Sequence, residues 1–216
     1  MDLNLDKEKE IPPDQSQYKL VYRKVKNFSR NHKLLDVGAA NCILKSVLPG
    51  NIKYYSLDIE GNVDYHCNLD KEKIPLPDAS FDIVVCLETL EHLMFPSKVL
   101  EEIKRVGKKN GIFLLSMPND YNFLLRLYYL FGKKTKMHEP FMTVSKHLHI
   151  HNPRVKDIIS IFSKHFEIKK VEYLWESRMS YKSGFARFLD KLINSLAQIC
   201  PTLFTRVVFV YAKNKN

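Results

Sequence analysis

Two acidic residues stand where an apolar run meets a turn. Asp36 lies in Lys33-Leu34-Leu35-Asp36-Val37-Gly38-Ala39-Ala40-Asn41, and Asp58 closes Lys53-Tyr54-Tyr55-Ser56-Leu57-Asp58. Short apolar runs bounded by turn signals read as buried parallel strands. Ligands of open α/β sheets sit at the carboxyl ends of such strands, near the point where strand order reverses. Asp36, Gly38 and Asp58 are therefore candidates to meet a ligand, with Gly38 supplying a turn and a close backbone approach that a side chain would obstruct. Two further clusters carry chemistry. Glu88, Glu91 and His92 recur at i, i+3 and i+4, so all three can face one side of a helical turn. Carboxylates with an imidazole suit a divalent ion that lowers a hydroxyl pKa; packing or hydrogen bonding by His92 is the alternative. His147, His149 and His151 alternate, and in an extended segment alternate side chains share a face. Imidazole exchanges its proton near neutral pH, as a general base must, whereas a capping or hydrogen-bonding role needs no such property.

The elements that must position these residues follow from periodicity. Residues 1–14 are charged and end in Pro12-Pro13, which predicts a poorly ordered arm. Tyr18, Val21, Tyr22, Val25 and Phe28 have helical spacing, and a strand follows over 33–37. A short helix over 42–48 is stopped by Pro49-Gly50. Strands are predicted over 53–58, weakly over 63–67, and most clearly over 81–87. Pro96 opens a helix whose apolar face is Val99, Leu100, Ile103 and Val106, ended by Gly107. Asn110-Gly111 turns into a strand over 112–117, Asn152-Pro153 starts a helix with Val155, Ile158, Ile159 and Phe162 on its core face, and strands follow over 166–174 and 206–212. Two apolar helical segments are extra to this alternation, Phe123 to Phe131 and the stripe Phe185, Phe188, Leu189, Leu192, Ile193, Leu196 and Ile199. Core packing, or cover over the mouth of the site, is the favoured reading. A membrane-surface or lipid contact, helped by the basic run Gly132-Lys133-Lys134-Thr135-Lys136, is the other.

With 216 residues, 45% hydrophobic and 27% charged, the chain has the length and composition of one soluble globular domain. The start of the chain, Met1-Asp2-Leu3-Asn4-Leu5-Asp6, lacks the basic and apolar regions of a signal peptide, and the expected location is cytoplasmic. Cys42, Cys67, Cys86 and Cys200 have no CxxC spacing and read as reduced thiols. The net charge of +10, from 34 Lys and Arg against 24 Asp and Glu, is compatible with nucleic acid or an anionic membrane. Its dispersion reads more simply as a solvated surface.

In order along the chain stand Leu34-Leu35-Asp36-Val37-Gly38, Leu57-Asp58-Ile59, Ile74-Pro75-Leu76-Pro77-Asp78-Ala79-Ser80-Phe81-Asp82-Ile83-Val84, Leu90-Glu91-His92-Leu93 and Gly111-Ile112-Phe113-Leu114-Leu115-Ser116-Met117-Pro118-Asn119. Over residues 15–174 this series resembles class I S-adenosylmethionine-dependent methyltransferases. The resemblance implies a Rossmann-like α/β fold, a mostly parallel seven-stranded sheet with helices on both faces and an antiparallel last strand. It implies S-adenosylmethionine as cofactor, with Asp36 near its cationic end, Gly38 and Ala40 in the loop beneath it, and Asp58 with Ile59 at the ribose. Asn68 or Asp70, flanking Leu69, would face the adenine amino group, and Leu87 and Glu88 the methionine portion. Ala40 and Cys42 hold places where the family often has glycine. Glu88-x-x-Glu91-His92 resembles the metal-binding segment of methyltransferases acting on quinone precursors and on small-RNA 2′-hydroxyls, although Leu-Glu-His is widespread in the superfamily without metal and no metal is assigned. His149-Ile150-His151 resembles a stretch lining the acceptor pocket, which makes His149 the leading acceptor-side candidate and His92 the second.

The expected protein is one domain over 15–216, with segments 119–150 and 175–203 covering the acceptor site. The expected activity is methyl transfer to an O, N or C nucleophile of a small or lipid-linked acceptor, with possible peripheral membrane contact. An RNA or other nucleic-acid methyltransferase is the first alternative, disfavoured because no Arg-aromatic patch is concentrated anywhere. A non-catalytic cofactor-binding protein of the same fold is the second, motivated by the altered Ala40-Asn41-Cys42 loop.

Overall fold

A computed structural model gives the architecture and describes residue 11 and residues 16–28, 31–133, 149–175 and 183–215. In chain order the elements are α1 (Ser16–Val25), β1 (His32–Val37), α2 (Ile43–Val47), β2 (Ile52–Asp58), β3 (Tyr65–His66), β4 (Phe81–Leu87), a 3-10 turn (Leu90–His92), α3 (Pro96–Val106), β5 (Gly107–Pro118), α4 (Phe123–Leu130), α5 (Val155–His165), β6 (Phe166–Leu174), α6 (Gly184–Ile199), α7 (Pro201–Phe204) and β7 (Val207–Asn214). The seven strands form one sheet in the order β3-β2-β1-β4-β5-β7-β6. β1 pairs in parallel with both β2 and β4, and β4 with β5, whereas β7 runs antiparallel between β5 and β6. Strand order thus reverses at β1 and β4, which places a ligand crevice at their carboxyl ends.

Both faces of the sheet are covered, so its central strands are apolar throughout. On one face Leu35, Val37, Val84, Cys86, Phe113 and Leu115 pack against Leu100 and Ile103 of α3 and Ile158 and Phe162 of α5. On the other, Leu34, Ile83, Val85 and Leu114 pack against Val21, Tyr22 and Val25 of α1 and Leu44 of α2. Each fully buried Leu, Ile or Phe contributes about 1.5–3 kcal/mol relative to exposure. Alternation along β1 therefore sends Leu35 and Val37 to the first face and Leu34 to the second.

The sequence predicted most element cores and erred at edges. β5 begins at Gly107, and Asn110-Gly111 lies inside it, because a register shift between Phe81 and Ile83 of β4 absorbs the extra residues as a bulge. α5 begins at Val155 after Arg154, whose backbone N–H donates to Asp157 Oδ2 at 2.9 Å; Asn152-Pro153 lies before the helix. β3 is shorter than 63–67. It joins β2 in parallel without a crossover helix, through residues 59–64, where Asp64 Oδ2 accepts from the N–H (2.8 Å) and hydroxyl (2.9 Å) of Ser56. Of residues 1–14, Ile11 is the described one, and it is buried in the α1 core. The stripe on α6 is not core: Phe185, Phe188, Leu192 and Ile199 are exposed, and the helix buries Asp190 and Ala197 instead. Cys42, Cys67, Cys86 and Cys200 are free thiols.

The segment leading into β4 is fastened by one side chain. Arg105 of α3 donates to the carbonyls of Ile74 and Leu76 (2.8 Å each), to Asp78 (2.6 Å) and to Glu102 (2.7 Å), and its hydrogen bonds hold the Glu102 carboxyl below the usual range. Arg105→Ala removes these charge-assisted bonds together and is expected to cost about 2 kcal/mol. Urea denaturation of the two proteins measures it.

Candidate active site

The parallel strands end together, so the loops after β1, β2, β4 and β5 share one rim. The β1 loop turns through left-handed backbone at Gly38 (φ 75°), Ala40 (φ 44°) and Cys42 (φ 52°). The positions expected to favour glycine therefore keep the glycine-type conformation without it, at the strain that L residues carry there. Gly38 itself is required by contact, since a Cβ there would lie 2.2 Å from Thr89 Oγ1. Gly38 and Ala39 donate their N–H groups to the Leu57 carbonyl (2.8 and 3.1 Å), tying the loop to β2.

Asp58 ends β2 with its carboxylate oriented by two backbone donors, Ala40 N–H to Oδ2 (2.7 Å) and Ile59 N–H to Oδ1 (2.6 Å). Ile59 is exposed beside it. Asp36 is buried, 5% exposed, and accepts from the Tyr54 hydroxyl at 2.8 Å. Burial pushes its carboxyl up to about 7, the Tyr54 bond opposes this, and the Asp58 charge adds to it. Tyr18 of α1 lies close enough to Asp36 and Glu88 that burial and both charges raise its phenol. A buried carboxyl of this kind gains most from a cationic neighbour.

Segment 68–70 approaches the same rim. Asn68 Oδ1 accepts from the Asp70 N–H (3.1 Å), and Asp70 Oδ1 accepts from the N–H of Met94 (2.8 Å) and Phe95 (3.4 Å). Leu69 packs against the core, and Leu87 is buried at the end of β4.

Beyond Leu87 lies a second group. Glu88 adopts left-handed backbone (φ 48°) and stands outside the 3-10 turn, so Glu88, Glu91 and His92 do not share one helical face as their spacing predicted. Glu91 is 1% exposed, and burial, followed by the charges of Glu88 and Asp120, raises its carboxyl well above the ordinary value although its own backbone N–H donates to it. Its Oε2 has no hydrogen-bond partner among the described residues. Its carbonyl accepts from the N–H of Ile150 (2.9 Å) and His151 (3.2 Å), which brings the histidine segment against this turn.

His149 Nδ1 lies 3.1 Å from Asp120 Oδ2 with both side chains buried, and its ring meets His92 edge-on at 5.1 Å between centroids. Ligand atoms of Glu91, His92 and His149 lie within 4.8 Å of one another. Burial raises Glu88 as well, while Arg206 and His149 lower it. His151 Nε2 sits 2.8 Å from the Leu93 carbonyl, a structural bond, and His147 lies outside the described residues. Next to Asp120 opens a cavity of about 450 Å³ lined by Asp120, Tyr121, Arg126, Tyr129, Leu130 and Asn152.

Sequence reasoning missed Asp120, Tyr18, Tyr54 and Arg206. Asp120 follows the Met117-Pro118-Asn119 stretch by one residue and was within reach of the motif. Tyr18 and Tyr54 read as ordinary apolar positions of a helix and a strand, and only packing turns them to Asp36.

Residues 35–115 match the sequence family described as "Methyltransferase domain". A ubiquinone biosynthesis O-methyltransferase of Hydrogenovibrio crunogenus is 27% identical over 140 residues, covering 54% of this chain and 58% of that protein. A probable S-adenosylmethionine-dependent methyltransferase of Mycolicibacterium smegmatis is 43% identical over 58 residues, 27% of this chain and 22% of that protein. Residues 35–115 thus carry the methyltransferase-domain match, and over these stretches the chain is similar to S-adenosylmethionine-dependent methyltransferases. It spans less than two thirds of the length of these curated relatives. Two solved structures share the fold of this chain. An S-adenosylmethionine-dependent methyltransferase from Archaeoglobus fulgidus has a TM-score of 0.60 at 18% identity, covering 97% of each chain. A possible histamine N-methyltransferase from Thermotoga maritima has a TM-score of 0.58 at 16% identity, covering 93% of this chain and 88% of that one.

The raised Asp36 carboxyl has a measurable sign. Between about pH 4, where a free Asp ionises, and about pH 7, the folded protein keeps a proton that the unfolded chain has lost. Stability from this group is intact below that window, falls across it, and stays lowered above. Asp36→Asn is expected to match the wild type near pH 4 and exceed it by roughly 2–4 kcal/mol at pH 8, read by urea denaturation. A cationic ligand at Asp36 must expel the proton. Calorimetric titration with S-adenosylmethionine near neutral pH is thus expected to release protons from the wild type and fewer from Asp36→Asn, compared across buffers of different ionisation heat.

Proposed function

We propose that this protein transfers a methyl group from S-adenosylmethionine to a hydroxyl of a small or lipid-linked acceptor bound in the cavity beside Asp120. The buried His149–Asp120 pair carries the reading. A hydroxyl is a poor nucleophile until a base takes its proton, and an imidazole oriented by a carboxylate is suited to do so. With Asp120 accepting at Nδ1, the proton belongs on that nitrogen and Nε2 is left as the acceptor. Asp120 is the positioning residue and His149 the base. The names of two partial relatives, both ubiquinone biosynthesis O-methyltransferases, support the same acceptor atom.

The residues fit the cofactor. The left-handed loop at Gly38, Ala40 and Cys42 leaves backbone at the crevice, the Asp58 carboxylate is preset by two amides, and buried Asp36 seeks a cation. Bound there, S-adenosylmethionine supplies an activated sulfonium methyl. Asp58 is suited to accept both ribose hydroxyls, with Ile59 beside it, and Asp36 and Glu88 to flank the charged portion. Asn68 and Asp70 remain the two candidates for the adenine edge. The protein's main contribution is proximity and in-line orientation, which reach 7–11 kcal/mol in well-oriented systems. Asp58→Ala is expected to weaken S-adenosylhomocysteine binding at least about tenfold, since charge-assisted bonds to two hydroxyls are lost. Unchanged affinity by calorimetry overturns the ribose assignment.

One observation favours a divalent ion at the same centre, namely the buried Oε2 of Glu91, which has no hydrogen-bond partner among the described residues and lies beside His92 and His149. These three residues would hold it, and it would lower the pKa of an acceptor hydroxyl. Glu91→Gln separates the possibilities by stability alone. Removing a buried carboxyl is expected to raise the melting temperature of the metal-free protein by several degrees. Magnesium or manganese is expected to raise that of the wild type and not of the variant; a wild type that responds to neither ion removes the metal reading.

A further inference from the structure

We propose that α4 and α6 together form a docking face for an anionic lipid bilayer, and that the acceptor enters the cavity from that bilayer as a lipid. On α4 and its end, Leu124, Leu127, Tyr128, Leu130 and Phe131 are 41–75% exposed; on α6, Phe185, Phe188, Leu192 and Ile199 are 49–81% exposed. An apolar surface of this extent on two helices marks an interaction site rather than scattered surface residues. The charges among them have one sign. Arg126, Lys133, Arg187 and Lys191 are exposed, α4 has no acidic residue, and Asp190 of α6 is buried. Apolar side chains interleaved with cations suit the headgroup–acyl boundary of an anionic membrane, which takes up the first and attracts the second.

The two helices are fastened to one corner of the sheet. Phe123 at the start of α4 stacks on Trp175 at 5.0 Å, and Asn194 of α6 clasps the same residue through its N–H (2.9 Å) and carbonyl (2.7 Å). Trp175 follows β6 at the end of the sheet where β5 also finishes, so the face borders the rim that carries Asp120 and His149. Arg126, Tyr129 and Leu130 of α4 line the 450 Å³ cavity as well, so the helix that would meet the bilayer is also a wall of the acceptor site. Charge complementarity selects the occupant. A second copy would bring +10 against +10, whereas an anionic bilayer is attracted by the same charge. A nucleic-acid backbone would satisfy the cations and leave the leucines and isoleucine unburied.

The entry of the acceptor rests on the cavity being the acceptor site, but docking is measured without methyl transfer, so the two fail separately. The experiment is flotation of the full chain with phosphatidylcholine vesicles, with and without phosphatidylglycerol, at low and high salt. The expected result is at least about tenfold stronger binding to the anionic vesicles, weakened by salt. The combined variant Phe131→Ser, Phe185→Ser, Phe188→Ser is expected to lose about tenfold or more in vesicle binding, from the apolar burial forgone. Its circular dichroism and S-adenosylhomocysteine affinity should be unchanged. Lys133→Glu with Arg187→Glu is expected to abolish the preference for phosphatidylglycerol. Equal binding to both vesicle types, retention by the serine variant, concentration-dependent self-association that the serine variant abolishes, or RNA binding that competes with vesicles and survives the serine changes would each overturn the proposal.

Discussion

The site depends on how closely the ends of β1 and β4 approach one another. These adjacent parallel strands diverge into loops on the two sides of the crevice, and Thr89 occupies the space where a side chain at Gly38 would be. Both loops turn through left-handed backbone, at Gly38, Ala40 and Cys42 on one side and at Glu88 on the other. On the β1 side the Ala40 amide orients Asp58, and on the β4 side the chain after Glu88 leads Glu91 under the histidine segment. Strain at Ala40, Cys42 and Glu88 is of the kind retained where surrounding structure over-determines a functional geometry.

Two electrostatic environments follow from this arrangement, separated by the β4 end. Around Asp36 the surroundings are phenolic and apolar, and one carboxyl is raised by burial with Tyr54 as its donor. Around Glu91 several carboxylates meet two imidazoles and Arg206, so burial and like charge raise the acids while Arg206 foremost restrains Glu88. The first suits a bound cation. The second suits proton transfer or an ion, and its stability cost is consistent with a functional centre rather than a structural ion pair.

The fold was legible wherever burial on two faces produced long apolar runs or helical stripes. β4, α3 and β6 were read to within a residue or two because their core residues leave little choice of element. Misreadings fell at edges, such as the bulged start of β5 and the beginning of α5, where local propensity competes with tertiary pairing. The core-packing reading of the stripe on α6 is the instructive error. A strong apolar period says that a face seeks burial, and not whether the same chain supplies the cover. Here the helix turns Asp190 and Ala197 inward and leaves its phenylalanines outside.

What the sequence determined by itself was the order of the strands' chemistry. Asp36-Val37-Gly38, Asp58 and the 81–87 strand are local patterns, each legible from neighbours within a few residues, and they specify a Rossmann-like sheet and the loops at its carboxyl rim. Only the tertiary structure decided which polar groups meet around the crevice. Asp120 meets His149 across 29 positions of chain, Glu91 bonds to the backbone of Ile150 and His151, and Tyr54 reaches Asp36 from the next strand. Such pairings carry no periodicity, because they are set by which loops the sheet order brings to one rim. Spacing placed Glu88 with Glu91 and His92; the fold substituted His149, since a left-handed turn at Glu88 breaks the helical face on which that spacing relied.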